Sequence, residues 1–373
     1  MNKLKLSNPV RLIAFFLTAC ILVLTFGFTA DGWQIEDPPQ NDGENKPPIN
    51  GGQGGEADGG GNTEGETPSE PEIYIPEFTN RLTGLECDEL AAGKLHYALV
   101  VNPEIPLYGI SGADIICELP TEDGTRMIAF VNELTNLWKI GSFTGTRGYI
   151  SNLVKYYGGI SIAYGCDDSI YYTKCDLAGQ NIDLSLGDKH CYTEFTENVY
   201  TNHDLLEGAI REAAINGEGL MTHPLPYYFV DFGEEAVLYD LEAADKIIIP
   251  FDKGIRTELL YNSESHKYTL TKEGEKILDA ANGISPEFTN CFVLFADSIT
   301  YDNSESSQMI MDTIGEGVGY YFSEGRACKI TWVGKGDGSL SFYNENGEQL
   351  IINRGRSYLS FVKSSKYKSF TFE

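Results

Sequence analysis

Gly109–Phe130 reads GISGADIICELPTEDGTRMIAF, and the fold turns on how this stretch is read. Two strand-like runs, Ala113–Leu119 and Arg126–Asn132, flank a polar connection that ends at Gly124. Apolar runs broken by turn residues predict a β-hairpin. Asp114 and Glu118 are both even-numbered, so a regular strand places them on one face, with Ala113, Ile115 and Cys117 on the other. Arg126 then returns across the turn to meet Glu118. A partly buried arginine–carboxylate pair is a good anchor for an oxyanion or carboxylate. The plainer alternative is a cross-strand ion pair on a wet sheet face, which contributes little.

Outward from this hairpin the signals are mixed. Strands are predicted at His96–Val101 and Ile160–Tyr164. Arg147–Tyr157 carries Ile150, Leu153, Val154 and Tyr157 at helical spacing; Asp204–Ala214 does the same with Leu205, Ala209, Ile210 and Ala213, after a cap at Thr201 or Asn202. After residue 226 the helical pattern nearly vanishes. Strands are predicted there at Lys246–Pro250, Glu258–Tyr261, Tyr268–Thr271, Phe292–Phe295, Gly319–Phe322, Lys329–Val333 and Ser339–Tyr343. Asp337-Gly338 and Asn346-Gly347 read as hairpin turns. Residues 78–373 exceed one comfortable core. The expected class is α+β: a mixed α/β domain over residues 78–225, then a smaller, mostly antiparallel β domain over residues 226–373.

Before the folded part comes an anchor and a tether. Lys3, Lys5 and Arg11 precede nineteen uncharged, mostly apolar residues, Leu12–Ala30. At about 1.5 Å per residue such a helix matches a bilayer core, and its cations keep the amino terminus cytoplasmic. Residues 1–30 are therefore read as a membrane anchor that leaves the rest extracytoplasmic. Two anchors fit the pattern: an uncleaved helix over residues 12–30, or a lipoprotein cleaved before a lipidated Cys20, because Leu17-Thr18-Ala19-Cys20 reads as a lipobox. Apolar residues continue past Cys20, which favours the helix. Cleavage after Ala30 is poorly supported, since Phe28 stands where a small residue is needed. Residues 31–77 hold ten glycines, seven prolines and twelve acids against one lysine. That composition predicts a disordered, extended tether with a reach of roughly 35–40 Å.

The charge is acidic throughout. Subtracting the tether's −11 and the amino terminus's +3 from the chain's −28 leaves −20 for residues 78–373. This excludes a basic nucleic-acid footprint and leaves glycans, peptides and envelope proteins as partners. Seven cysteines follow the anchor, an odd number without a CxxC pair, and buried free thiols are compatible with their apolar settings. The five histidines are dispersed, so a metal site lacks its ligand spacing. No nucleophile elbow, phosphate loop or zinc-protease helix occurs, and no cofactor is implied. Tyr164-Gly165-Cys166 is a weak nucleophile candidate, because Asp167 and Asp168 would raise its thiol pKa.

A family resemblance rests on Leu82-Thr83-Gly84-Leu85, GISGADIICE (109–118), Gly124-Thr125-Arg126, Lys139-Ile140-Gly141, Arg147, and Asn198-Val199-Tyr200-Thr201. It continues with GVGYYFSEGRACKITW (317–332), FYNENGE (342–348) and Asn353-Arg354-Gly355-Arg356. In these stretches the chain resembles the YerB-like lipoproteins, bacterial envelope proteins with a domain of unknown function. The resemblance implies a membrane-attached extracytoplasmic protein of two domains and no known reaction. Thr144, Ala163, Cys166 and Glu197 depart from the family pattern, two of them replacing histidines. An acid–base role carried by those histidines is lost here. The retained polar residues Asp114, Glu118, Arg126, Arg147, Asn198 and Tyr200 are the expected ligand-binding set, with no catalytic residue assigned. Three functions follow as expectations: a binding or scaffold module for a cell-wall glycan or peptide, a wall hydrolase or transferase using carboxylates, and an envelope sensor or assembly subunit.

Overall fold

Ile115–Pro120 and Thr125–Val131 do form an antiparallel hairpin, in the computed structural model of the chain. The structure describes residues 76–373 apart from residues 95, 133, 135–136, 166–180, 187–188, 196–197, 216–230, 234–241, 303–306 and 337. In chain order its first half comprises α1 (Glu89–Ala92), β1 (His96–Val101), β2 (Ile115–Pro120), β3 (Thr125–Val131), β4 (Ile140–Phe143), α2 (Gly148–Tyr157), β5 (Gly159–Ala163), β6 (Asn181–Asp183), β7 (Tyr192–Glu194), β8 (Asn198–Thr201) and α3 (His203–Ile215). The second half adds β9 (Asp231–Phe232), β10 (Lys246–Pro250), β11 (Arg256–Asn262), β12 (Lys267–Lys272), β13 (Glu275–Lys276), β14 (Glu287–Phe288), β15 (Asn290–Ala296), β16 (Ser298–Asp302), β17 (Ser307–Met311), β18 (Gly315–Ser323), β19 (Arg326–Gly334), β20 (Leu340–Tyr343), β21 (Ile351–Ile352), β22 (Ser357–Lys363) and β23 (Thr371–Phe372).

The described chain is mostly β, and the region after residue 226 is β-rich as expected. The two halves share a sheet of 13 strands, ordered β20-β19-β18-β15-β22-β2-β3-β1-β4-β8-β7, with β5 and β6 branching from β1. The joint is β22, which runs parallel to both β15 and β2. A second sheet, β13-β12-β11-β10-β23 with β14 beside β12, covers one face.

Alternation explains the layers. On one face Ala98, Val100, Ile115, Cys117, Ile128 and Phe130 meet Ile150, Leu153, Val154 and Tyr157 of α2. On the other, Leu99, Ile116, Met127 and Ala129 meet Ile247, Leu259 and Leu270 of the second sheet. Burying each of the valine, leucine, isoleucine, methionine and phenylalanine side chains contributes about 1.5–3 kcal/mol. Helix α2 ends at Gly158, whose φ of 61° suits glycine and whose N–H returns to the Val154 and Lys155 carbonyls. Its start is different: Arg147 occupies the N-cap and makes no capping hydrogen bond. Among the described residues no helix is long and apolar enough to cross a membrane. The anchor expected at residues 12–30, Cys20 and residues 31–75 of the tether lie outside the described residues.

Candidate functional site

The expected Arg126–Glu118 pair does not form. The connection Thr121–Gly124 sets Glu118 opposite Met127 and Leu119 opposite Arg126, so the two charges leave opposite faces of the hairpin. Glu118 is fully buried, and each carboxylate oxygen accepts two donors. Thr125 Oγ1 (2.8 Å) and Lys272 Nζ (3.3 Å) reach Oε1, while Thr257 Oγ1 (2.8 Å) and Tyr358 OH (2.7 Å) reach Oε2. Its acceptor capacity is filled. Asp114 is not on Glu118's side either: it lies before β2 begins and accepts from Asn80 Nδ2 (2.9 Å), with His96 Nε2 at 3.0 Å. Both acids hold the fold together.

The loop that opens the motif has the same character. Gly109 N–H contacts both oxygens of buried Asp279 at 3.1 Å, and Ser111 donates to it through its N–H (2.9 Å) and hydroxyl (2.8 Å). No sequence signal marks Asp279, which lies about 170 residues downstream.

Arg126 and Arg147 are brought together, although they are on different elements. In the β2–β3 connection Thr121 Oγ1 (2.6 Å) and Arg126 Nη2 (2.8 Å) donate to Asp123. Burial alone would raise the Asp123 pKa, but these donors and the Arg126 charge hold it at about 2. Arg147 Nη2 donates to Glu122, the neighbouring acid of the same connection, and Nη1 donates to the Thr146 carbonyl at 3.0 Å. Burial lowers the Arg147 pKa less than Glu122 raises it, so the guanidinium remains charged. Tyr149 fastens the assembly by donating to Pro120 O at 2.8 Å. Buried Arg126 Nε, Arg147 Nε, Glu122 Oε2 and Thr146 Oγ1 have no partner among the described residues. This is unusual for buried polar atoms.

Beside this cluster a cavity of about 190 Å³ separates the start of α2 from Met309–Ile314; Arg147, Tyr149 and Asn152 line one wall. Asn152 Nδ2 to Thr313 Oγ1 (3.1 Å) and Tyr156 OH to Thr313 O (2.9 Å) pin the two walls together. A second cavity of about 460 Å³ adjoins it, sharing Asp312 and Ile314. Glu122, Asn152 and Asp312 are site residues that the sequence reading missed. Glu122 stands in the polar connection of the hairpin, and Asp312 comes from the other half of the chain.

Asn198 and Tyr200 lie elsewhere, on β8. Lys139 Nζ sits 3.8 Å from the Tyr200 ring centre and 4.2 Å from that of Tyr108, and it donates to Glu194 at 2.6 Å. This is a cation–π box filled by the chain's own lysine. Asn198 opposes Glu194 across the β7–β8 pair.

Among the described residues Cys87, Cys117, Cys291 and Cys328 are free thiols. Burial pushes Cys117 and Cys291 well above the usual thiol range and Cys328 up to about 11, which disfavours thiolates. Cys166 lies outside the described residues. Among the described residues no group of three or more histidine, cysteine or carboxylate side chains could hold a metal ion.

Comparison with known proteins agrees with this fold. Residues 247–359 match the family described as "Protein of unknown function (DUF3048) C-terminal domain". No curated protein matches the chain significantly. A crystal structure of YerB from Bacillus subtilis is similar with a TM-score of 0.66 at 19% identity, covering 80% of this chain and 100% of that one. The chain thus shares the YerB fold, and its residues 247–359 match the DUF3048 carboxy-terminal domain.

Proposed function

We propose that the protein is a membrane-attached, extracytoplasmic binding module of the bacterial envelope whose ligand is a cell-wall glycan or peptide. The observation that carries this reading is the cavity at the start of α2, where Arg147 and Asn152 face Met309–Ile314 beside the Arg126–Asp123 and Arg147–Glu122 pairs. Cavities that join apolar walls to a few polar groups are where small ligands bind. The charged apolar-then-acidic amino terminus supports export and anchoring. Binding without chemistry is favoured because Glu118, the best acid candidate in the sequence, is saturated by four donors, and because the buried thiols are held protonated.

Co-sedimentation of the purified full-length protein with cell-wall sacculi tests the reading. Saturable retention that falls at least 10-fold in Asn152→Ala or Arg147→Met, measured well below the melting temperature of each variant, is expected. Retention indifferent to both substitutions would remove this cavity from the function.

A further inference from the structure

We infer that the groove made by the two adjoining cavities takes an extended peptide bearing a free amine; this rests on the binding-module reading and names a ligand class for the same site. The larger cavity opens where two strands part. β15 and β18 pair from Cys291–Phe322 to Leu294–Gly319, after which β15 continues with β22 as far as Ala296–Lys363. Gly315–Val318 keeps its pairing to β19, while Phe295 and Ala296 line the cavity with it. The floor is Trp332, whose Nε1 donates to Phe295 O at 3.0 Å, and Tyr367 forms part of the wall. From there the groove passes Asp312 and Ile314 into the smaller cavity at α2. Two cavities in series beside the extended run Met309–Val318 fit an extended chain better than a compact ligand.

Charge specifies the ligand further. Asp297, Asp312 and Glu316 all line the groove and are exposed. None of them joins an ion pair among the described residues. Two cations beside the cavity are committed elsewhere: Lys363 and Lys366 both hold Asp252, and Lys366 Nζ lies 2.9 Å from it. At the α2 end Arg126 and Arg147 are neutralised by Asp123 and Glu122. The groove thus has three carboxylates without an ion pair among the described residues, beside the exposed Tyr367 ring, a setting that favours an ammonium group by charge and by cation–π contact. An anionic polymer is repelled by the same charges.

The test titrates full-length protein with the tetrapeptide Ala-Ala-Lys-Ala, with the same peptide acetylated at both amines, and with an oligomer of N-acetylglucosamine. The expected result is saturable binding of the free-amine peptide, at least 10-fold tighter than the acetylated one and weakened by salt. Asp312→Asn combined with Glu316→Gln should reduce that preference to less than 3-fold while the melting temperature is retained. Equal affinity for the two peptides, or a preference unchanged in the double variant, overturns the inference. Binding of the oligomer alone overturns it too, yet leaves the binding-module reading intact. If sacculi also fail to bind, both readings fall.

Discussion

Tyr358 donates a 2.7 Å hydrogen bond to Glu118 across the parallel strands β22 and β2, joining residues 240 apart in the chain. With Thr257 and Lys272 from the second sheet on the same carboxylate, this contact ties three parts of the fold to one buried charge. The carboxylate that closes the GISGADIICE stretch (109–118) is therefore a structural node.

Glu118→Ala should accordingly destabilise the protein strongly. It strands Lys272, whose side chain is only 10% exposed, without its counter-charge. Removing one partner of a buried pair costs about 3–5 kcal/mol. Tyr358→Phe removes a single donor and should cost about 1.5–3 kcal/mol, as for hydrogen bonds to charged groups. Urea unfolding of the two variants and their double mutant measures both losses and their coupling. A Glu118→Ala cost below that of Tyr358→Phe would refute the node.

Acid should loosen the connection between β2 and β3. The Asp123 pKa is depressed to about 2 in the fold, so its contribution to stability is fully present above the ordinary carboxylate pKa of about 4. It is lost as pH falls from there through about 2. Asp123→Asn should flatten that part of the stability–pH curve and leave the curve near neutrality parallel to the parent. A variant as acid-sensitive as the parent would show that other carboxylates govern this range.

Gly317 is the tightest point beneath the groove. A Cβ there would lie 2.6 Å from both Phe295 O and Trp332 Nε1. Gly317→Ala must displace a backbone carbonyl or the buried indole, at a cost of about 1–3 kcal/mol. Thermal melting and tryptophan fluorescence should both shift. An unchanged melt would mean that the floor of the groove yields easily.

Lys139 should matter for the sheet edge formed by β4, β8 and β7. Lys139→Ala removes two ring contacts and the Glu194 hydrogen bond, so a loss of about 1–3 kcal/mol is expected. Hydrogen exchange should rise in β7 and β8 while β2 and β22 stay protected. Uniform acceleration would contradict a local role.

Local patterns carried much of the fold. β1 and β10 match the strands predicted from apolar runs in both bounds, and α2 ends at Tyr157 as predicted but starts one residue later, at Gly148, with Arg147 as its N-cap. β22 was not predicted. Ser357 and Ser360 interrupt its apolar run, and a strand buried on both faces shows no alternation. The site was legible only in part. Arg126 and Arg147 could be picked out as cations, but their partners depend on turn register. The role of Glu118 was hidden because Thr257, Lys272 and Tyr358 lie 139, 154 and 240 residues away in sequence. Contacts at such separations leave no periodic trace in the chain.

Binding without chemistry is the central claim, and muropeptide analysis tests it most directly. Full-length protein is incubated with sacculi, bound protein is quantified, and the muropeptides are analysed by mass spectrometry. A binding module gives saturable retention, weakened in Asn152→Ala, with a muropeptide profile identical to that of untreated sacculi. New or lost muropeptides that depend on the intact protein would contradict it and make the protein an enzyme of the wall.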